Sequence, residues 1–277
     1  MDLAHDKALL AFDTSTEILA VAAGGPRGWS VWNGPGGSAA SAQLLPQIGA
    51  ALARAGLTLA DIDAIAFGRG PGAFTGLRTS CAVAQGLGLG LARPLLPLDS
   101  LRIVAEDALD PSQSGDGACT VAVAMDARMG EIYGGVYERV AAGWHTVRAP
   151  ALYALADWNA VLAQESRQPH LLAGSALDAF GTRLHRPVGV TLRPTERDRA
   201  HALLRVARQA LAEGAAVDAA LALPLYLRDK VALTTAERAA ARSVAATPSG
   251  PAAPIASTPP DVLDAPRAHD GGHGAVA

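Results

Sequence analysis

Half of the 277 residues are apolar, enough to build one large domain or two lobes, yet aromatics are only 4%. The core must therefore rest on Ala, Leu and Val with backbones that approach closely. A net charge of -3 excludes a global attraction to phosphate backbones, and the only two lysines, Lys7 and Lys230, exclude a P-loop at the glycine run of residues 68–76.

The N-terminal MDLAHDKALL has neither the basic region nor the apolar run of a secretory signal. The uncharged stretch Thr79 to Ala92 is too short to span a bilayer and carries glycine at 86, 88 and 90. The expectation is a cytoplasmic protein with no membrane segment. Ala8 to Phe12 and Ile18 to Ala23 read as a hairpin around Asp13-Thr14-Ser15-Thr16. Residues 38–56 follow as a helix with Leu44, Leu45, Ile48, Ala51 and Leu52 at helical spacing and Gly56 as the stop. Ile62 to Phe67 reads as a buried strand, then comes the loop GRGPGAFTGLRTS, then a helix from about Thr75 to Leu91 and a strand from Leu95 to Leu98.

Beyond the polar run DPSQSGDG at 110–117, Cys119 to Met125 and Glu131 to Tyr137 form a second hairpin. Each hairpin has a strand ending in Asp, a short turn, then Glu-Ile opening the return strand, which suggests two related α/β lobes. Thr195-Glu196-Arg197-Asp198 reads as a capping box for a helix that runs to about Glu213, with arginines 197, 199, 205 and 208 on a solvated face. Cys81 and Cys119 read as buried small hydrophobes, and the Pro, Ala, Gly and Ser mixture from about Ala241 as a disordered tail.

Asp13 stands beside three hydroxyls, a grouping that suits either a metal-bound water and phosphate or a turn satisfying its own backbone. Gly70, Gly72 and Thr75 at the start of a helix suit an anion held by backbone N–H groups, or a tight strand-to-helix turn. Ala82, Gly86 and Gly90 recur every fourth residue and make a smooth stripe for close helix approach, inside the chain or against a partner. The HDGGH run at 269–273 is not a preformed metal site, and no nucleophile, base and orienter set emerges. No catalytic or metal residue is assigned.

FDTST, GRGPGAFTGLRTS with its Ala-Gly helix, PLDSL at 97–101, MDARMGEIY at 125–133 and PLYLRD at 224–229 together resemble the TsaB family, in order from about residue 7 to 230. The resemblance implies an α/β, actin-like and sugar-kinase-like fold of two ribonuclease-H-like lobes. It places the first lobe at 1–105, the second at 106–215, a C-terminal segment packing on them at 216–240 and the tail at 241–277. It implies a non-catalytic subunit that binds TsaD and, with TsaE, supports transfer of threonylcarbamoyl from its adenylate to the tRNA adenosine beside the anticodon, for tRNAs reading codons that begin with A. The tRNA is then reached through the complex, and a homodimer forms when TsaD is absent. The implied partner surface falls on the first helix at Leu44, Leu45 and Ile48 and on the glycine stripe at Ala82, Gly86 and Gly90. The glycine loop then chiefly launches an interface helix. No cofactor is implied for the chain alone, with ATP or ADP and Mg only within the complex. Relatives often carry a histidine before the first helix, and GGPRGWSVWNGPGGSAASAQLLP has none. The alternative is a weak actin-like ATPase acting through Asp13 and Thr14.

Overall fold

Leu9–Asp13 (β1, LLAFD) is buried at every position, as a strand covered on both faces must be. It pairs antiparallel with Ile18–Gly25 (β2), and β2 with Gly28–Pro35 (β3). Ala64–Gly70 (β4) joins β1 in parallel and Leu95–Asp99 (β5) joins β4 in parallel, giving the order β3-β2-β1-β4-β5. Ala40–Arg54 (α1) and Phe74–Leu91 (α2) are the crossovers.

The second sheet repeats the plan. Cys119–Asp126 (β6), Glu131–Val140 (β7) and Gly143–Ala154 (β8) run antiparallel, and Leu171–Ala173 (β9) and Thr191–Arg193 (β10) add parallel to β6, so the order β8-β7-β6-β9-β10 matches the first. Two matched sheets fulfil the expectation of two ribonuclease-H-like lobes. The computed structural model describes residues 7–109, 118–164 and 168–228. The run at 110–117, Asp229, Lys230, the HDGGH run and the stretch after Ala241 lie outside the described residues.

Alternation along each central strand sends side chains to two different cores. Leu10 and Phe12 meet α1 and α2 residues such as Leu44, Ile48, Cys81 and Ala84. Leu9 and Ala11 meet Arg199–Ala212 (α6), through Leu203, Val206 and Ala207. In the second lobe Ala122 and Ala124 face Leu155–Leu162 (α4) and Ala176–Phe180 (α5). Val121 and Val123 face Ser100–Ala108 (α3). Thus α3, which leaves the first sheet, covers the second, and α6, which leaves the second, covers the first. The exchange packs α3 against α6 and joins the halves.

Several local expectations need correction. The cap of α6 is Asp198, whose side chain accepts from His201 N, so Thr195 is not the cap and Glu196 turns instead to Arg199. Of its arginines, Arg197 and Arg205 are exposed as expected and Arg208 is half-buried, but Arg199 leaves the solvated face. Arg199 is fully buried, Arg205 pairs with Glu106, Arg197 donates to the Asp107 carbonyl, and Arg208 lies over the Trp29 ring. Cys119 is only half-buried, because it opens an edge of β6. Beyond α6, Val217 bonds back to Leu95, and Gln85 Nε2 of α2 donates to the Ala222 carbonyl. Leu225 N then donates to Arg69 O at 2.7 Å. This strap crosses from the first lobe to the β6–β7 turn.

Candidate functional site

The β1–β2 turn and the glycine loop form one interlocked unit. Asp13 Oδ1 accepts from Ser15 N at 2.6 Å, and Oδ2 accepts from Arg199 Nη2 at 2.8 Å and Ser100 Oγ at 3.2 Å. Thr14 Oγ1 donates to Gly76 O at 2.6 Å and accepts from Ser80 Oγ, which in turn accepts from Thr14 N. The hydroxyl proton of each is thereby assigned by its neighbours. Asp13 and Thr14 are both 0% exposed.

The glycines explain the closeness. A Cβ on Gly68 would lie 2.2 Å from the Asp13 carboxyl, one on Gly72 2.4 Å from Ser15 O, and one on Gly76 1.9 Å from Thr14 O. Gly70 sits at φ +114, and its added Cβ would meet Leu225 O at 2.9 Å. Here glycine is required by contact with the chain's own turn, as the tight-turn reading of this loop expects. Its amides point the same way. Gly70 N donates to Ser100 Oγ and Ala73 N to Ser15 O.

Of the residues expected to hold a nucleotide or anion, Asp13, Thr14, Gly70 and Gly72 do come together, but around each other. Thr75 is exposed on α2 and takes no part in the unit. A metal-bound nucleotide does not fit this turn as built: both carboxylate oxygens are committed and a guanidinium occupies the space in front of Oδ2. Burial by itself lowers the Arg199 guanidinium, but the Asp13 and Glu196 charges and their hydrogen bonds outweigh it and hold Arg199 above its ordinary value. Arg199 therefore keeps its charge at any working pH. Arg199 had a sequence signal: it shares the α6 face of Ala202, Leu203, Val206 and Ala210, placing an arginine on a buried stripe.

The β6–β7 turn is held differently. Arg128, Met129 and Gly130 all have positive φ, at +64, +56 and +78, and Ala127 N closes the turn on Glu131 O at 2.9 Å. Arg228 from the strap donates to Ala127 O at 3.1 Å, reaches Met129 Sδ and pairs with Glu131. Arg128 reaches Glu17 after the first turn at 3.6 Å. Arg228 and Ser100 were legible only as members of PLYLRD and PLDSL, with no pattern announcing what they hold.

The second face of interest is the outer side of α1 and α2. Ala82, Gly86 and Gly90 are exposed, and a Cβ on Gly86 or Gly90 would meet nothing within 4 Å. Gly88, by contrast, turns inward, where a Cβ would lie 2.8 Å from Leu95. On α1 the expected surface is corrected in part: Leu44 and Ile48 are 0% and 3% exposed and belong to the core, because they face β1 and β2, while Leu45 is 57% exposed. Gly49, four residues after Leu45, also opens on empty space.

A family profile described as TsaD, tRNA N6-adenosine threonylcarbamoyltransferase, matches residues 37–236. The chain is 34% identical over 235 residues to the tRNA threonylcarbamoyladenosine biosynthesis protein TsaB of Escherichia coli (strain K12), covering 81% of this chain and 96% of that protein. This chain belongs to the TsaB family. The Haemophilus influenzae TsaB is 41% identical over 125 residues, which is 45% of this chain and 51% of that one. Among solved structures, a Pseudomonas aeruginosa protein described as similar to peptidase YeaZ superposes with a TM-score of 0.70 at 35% identity, covering 80% of this chain and all of that one. The fold is the actin-like one of the family, and the family's role is in tRNA threonylcarbamoyladenosine biosynthesis. Among the described residues no helix is long and apolar enough to cross a membrane.

Proposed function

We propose that this chain is a non-catalytic partner subunit: it binds TsaD and, with TsaE, supports transfer of threonylcarbamoyl from threonylcarbamoyl-adenylate to the adenosine beside the anticodon of tRNAs reading codons that begin with A. The observation that carries this reading is the outer face of α2. Each interior helix glycine costs about 0.8 to 1 kcal/mol relative to alanine. At Gly88 internal contact offsets that cost, but at Gly86 and Gly90 an added Cβ would meet nothing within 4 Å beyond the helix itself among the described residues. A helix from another subunit, lying close along the Ala82-Gly86-Gly90 ridge with Leu45 and Leu89 at its flanks, supplies the missing contact. Without TsaD the same face pairs with a second copy. ATP or ADP and Mg belong to the assembled complex, which works in the cytoplasm and brings in the tRNA.

The test is an omission assay with TsaD, TsaE, the adenylate-forming enzyme, ATP, threonine, bicarbonate and tRNA, read as modified adenosine by mass spectrometry. Modification should require this chain; full modification in its absence would sink the proposal. Gly86→Leu should leave the chain folded but weaken TsaD capture. Normal capture by Gly86→Leu would move the interface elsewhere.

A further inference from the structure

We infer that Arg199 is a built-in cation that fills the position in which the Asp13 turn would otherwise face a metal-bound ligand, and that it locks this turn to the second half of the chain. Arg199 comes from α6, 186 residues away in sequence, and its Nη2 reaches both Asp13 Oδ2 at 2.8 Å and Ser15 Oγ at 3.0 Å, while Nη1 pairs with Glu196. The side chain is 0% exposed and its Nε has no partner among the described residues, so the guanidinium is positioned by two carboxylates and a hydroxyl rather than by a full shell of acceptors. Asp107, whose charge is felt at Glu196, is engaged with Arg197 N and Asp198 N. Gly68 of the glycine loop packs against the Asp13 carboxyl, where an added Cβ would lie 2.2 Å away. The pocket is therefore a guanidinium receptor whose ligand is part of the chain. This inference does not depend on which partner the outer face of α2 binds.

The experiment uses the full chain, wild type and Arg199→Ala, with thermal unfolding followed in 0 to 20 mM guanidinium chloride against equal potassium chloride. Removal of the cation leaves the Asp13 and Glu196 carboxylates without their partner, and the melting temperature should fall by about 10 °C. Millimolar guanidinium should then restore part of the loss in a saturable way, with no effect on the wild type. A variant as stable as the wild type, or one indifferent to guanidinium, overturns the inference. If Arg199→Ala does not fold, Asp13→Asn and Glu196→Gln combined with Arg199→Gln, which removes all three charges, should fold with a cooperative transition; failure of this triple variant to fold also overturns it. Photolabelling with an azido analogue of ADP in the presence of Mg should leave residues 13–16 of the wild type unmodified. Label mapped to those residues by mass spectrometry would show that the turn is open to nucleotide, and the inference would fall.

Discussion

The β1–β2 and β6–β7 turns occupy the same position in two sheets of the same topology, and both are held by an arginine from the last third of the chain. The first is clamped through its carboxylate: Arg199 is buried against Asp13. The second is clamped through its backbone and its return strand, Arg228 reaching Ala127 O and Glu131 from a partly exposed position. The difference teaches where the two lobes agree and where they part. Topology persists in both lobes, whereas the first turn has been sealed into the core and the second left at the surface with Met129 75% exposed.

The comparison breaks most visibly at the two arginines. Arg199→Ala should cost about 3 to 5 kcal/mol of stability, because removing one partner of a buried pair leaves the other charge without solvent or counter-ion. Arg228→Ala should cost about 1 kcal/mol, since Glu131 stays accessible to water and only the carbonyl bond is lost without replacement. Urea denaturation of both variants measures this. Equal losses would mean that the two clamps are equivalent and the burial argument is wrong.

Glycine sharpens the contrast between space and dihedral angle. Gly76→Ala should destabilise by about 3 kcal/mol, since its Cβ would stand 1.9 Å from the Thr14 carbonyl, backbone that cannot rotate away. Gly130→Ala meets nothing within 4 Å and should cost only the left-handed penalty at φ +78, about 1 kcal/mol. Denaturant midpoints for the two should differ accordingly; a mild Gly76→Ala would show that the loop can move off the turn.

Much of this arrangement was legible in the sequence, for identifiable reasons. The hairpins announced themselves through apolar runs ending in Asp, α1 through helical spacing and its Gly56 stop, and α2 through the small residues that recur every fourth position after the glycine loop. The strands β3 and β8 did not, because both are edge strands with one pairing partner. GWSVWNGP and GWHTVRAPALYA mix polar residues, glycine and proline in a way an edge tolerates and a central strand does not. On α1, helical spacing identified Leu44 and Ile48 as one face but not which side that face takes, and the core claimed it. The site residues on the Asp13 turn were found by type. Their closure by Arg199 depends on a contact between distant segments that no local pattern carries, although an arginine on a buried helical stripe was its trace.

The two halves also meet at Asp99, which ends β5 near the first turn and accepts from Tyr137 Oη of β7 at 2.6 Å. Burial pushes the Asp99 carboxyl up, with the Tyr137 bond and the Leu101 and Arg102 amides offsetting only part of the rise. Burial likewise holds the Tyr137 phenol well above its ordinary value, so it remains the donor. A carboxyl whose native value exceeds its unfolded one binds more protons when folded. Its contribution is fully present below the ordinary aspartate value and is lost as pH rises through the raised native value. Asp99→Asn cannot titrate but still accepts from Tyr137. Its stability relative to the wild type should therefore improve as pH climbs through that window and then level off. A difference independent of pH, or one that moves the other way, would show that Asp99 does not couple the halves through its protonation.

The smallest effect tests the second turn alone. Met129 holds φ +56 with its side chain in solvent, a conformation that disfavours a residue bearing a Cβ, and Arg228 touches it only through Sδ. Met129→Gly removes the left-handed penalty but frees the unfolded chain, so the two terms oppose each other and the net change should lie within about 0.5 kcal/mol of zero. The informative reading is the double variant with Arg228→Ala. If the clamp is what holds the left-handed backbone in place, Met129→Gly should soften the loss caused by Arg228→Ala, giving a coupling energy of about 0.5 kcal/mol or more in a double-mutant cycle. Strict additivity would mean that Arg228 holds only the return strand through Glu131, and that the strained turn is fixed by its own Ala127–Glu131 closure.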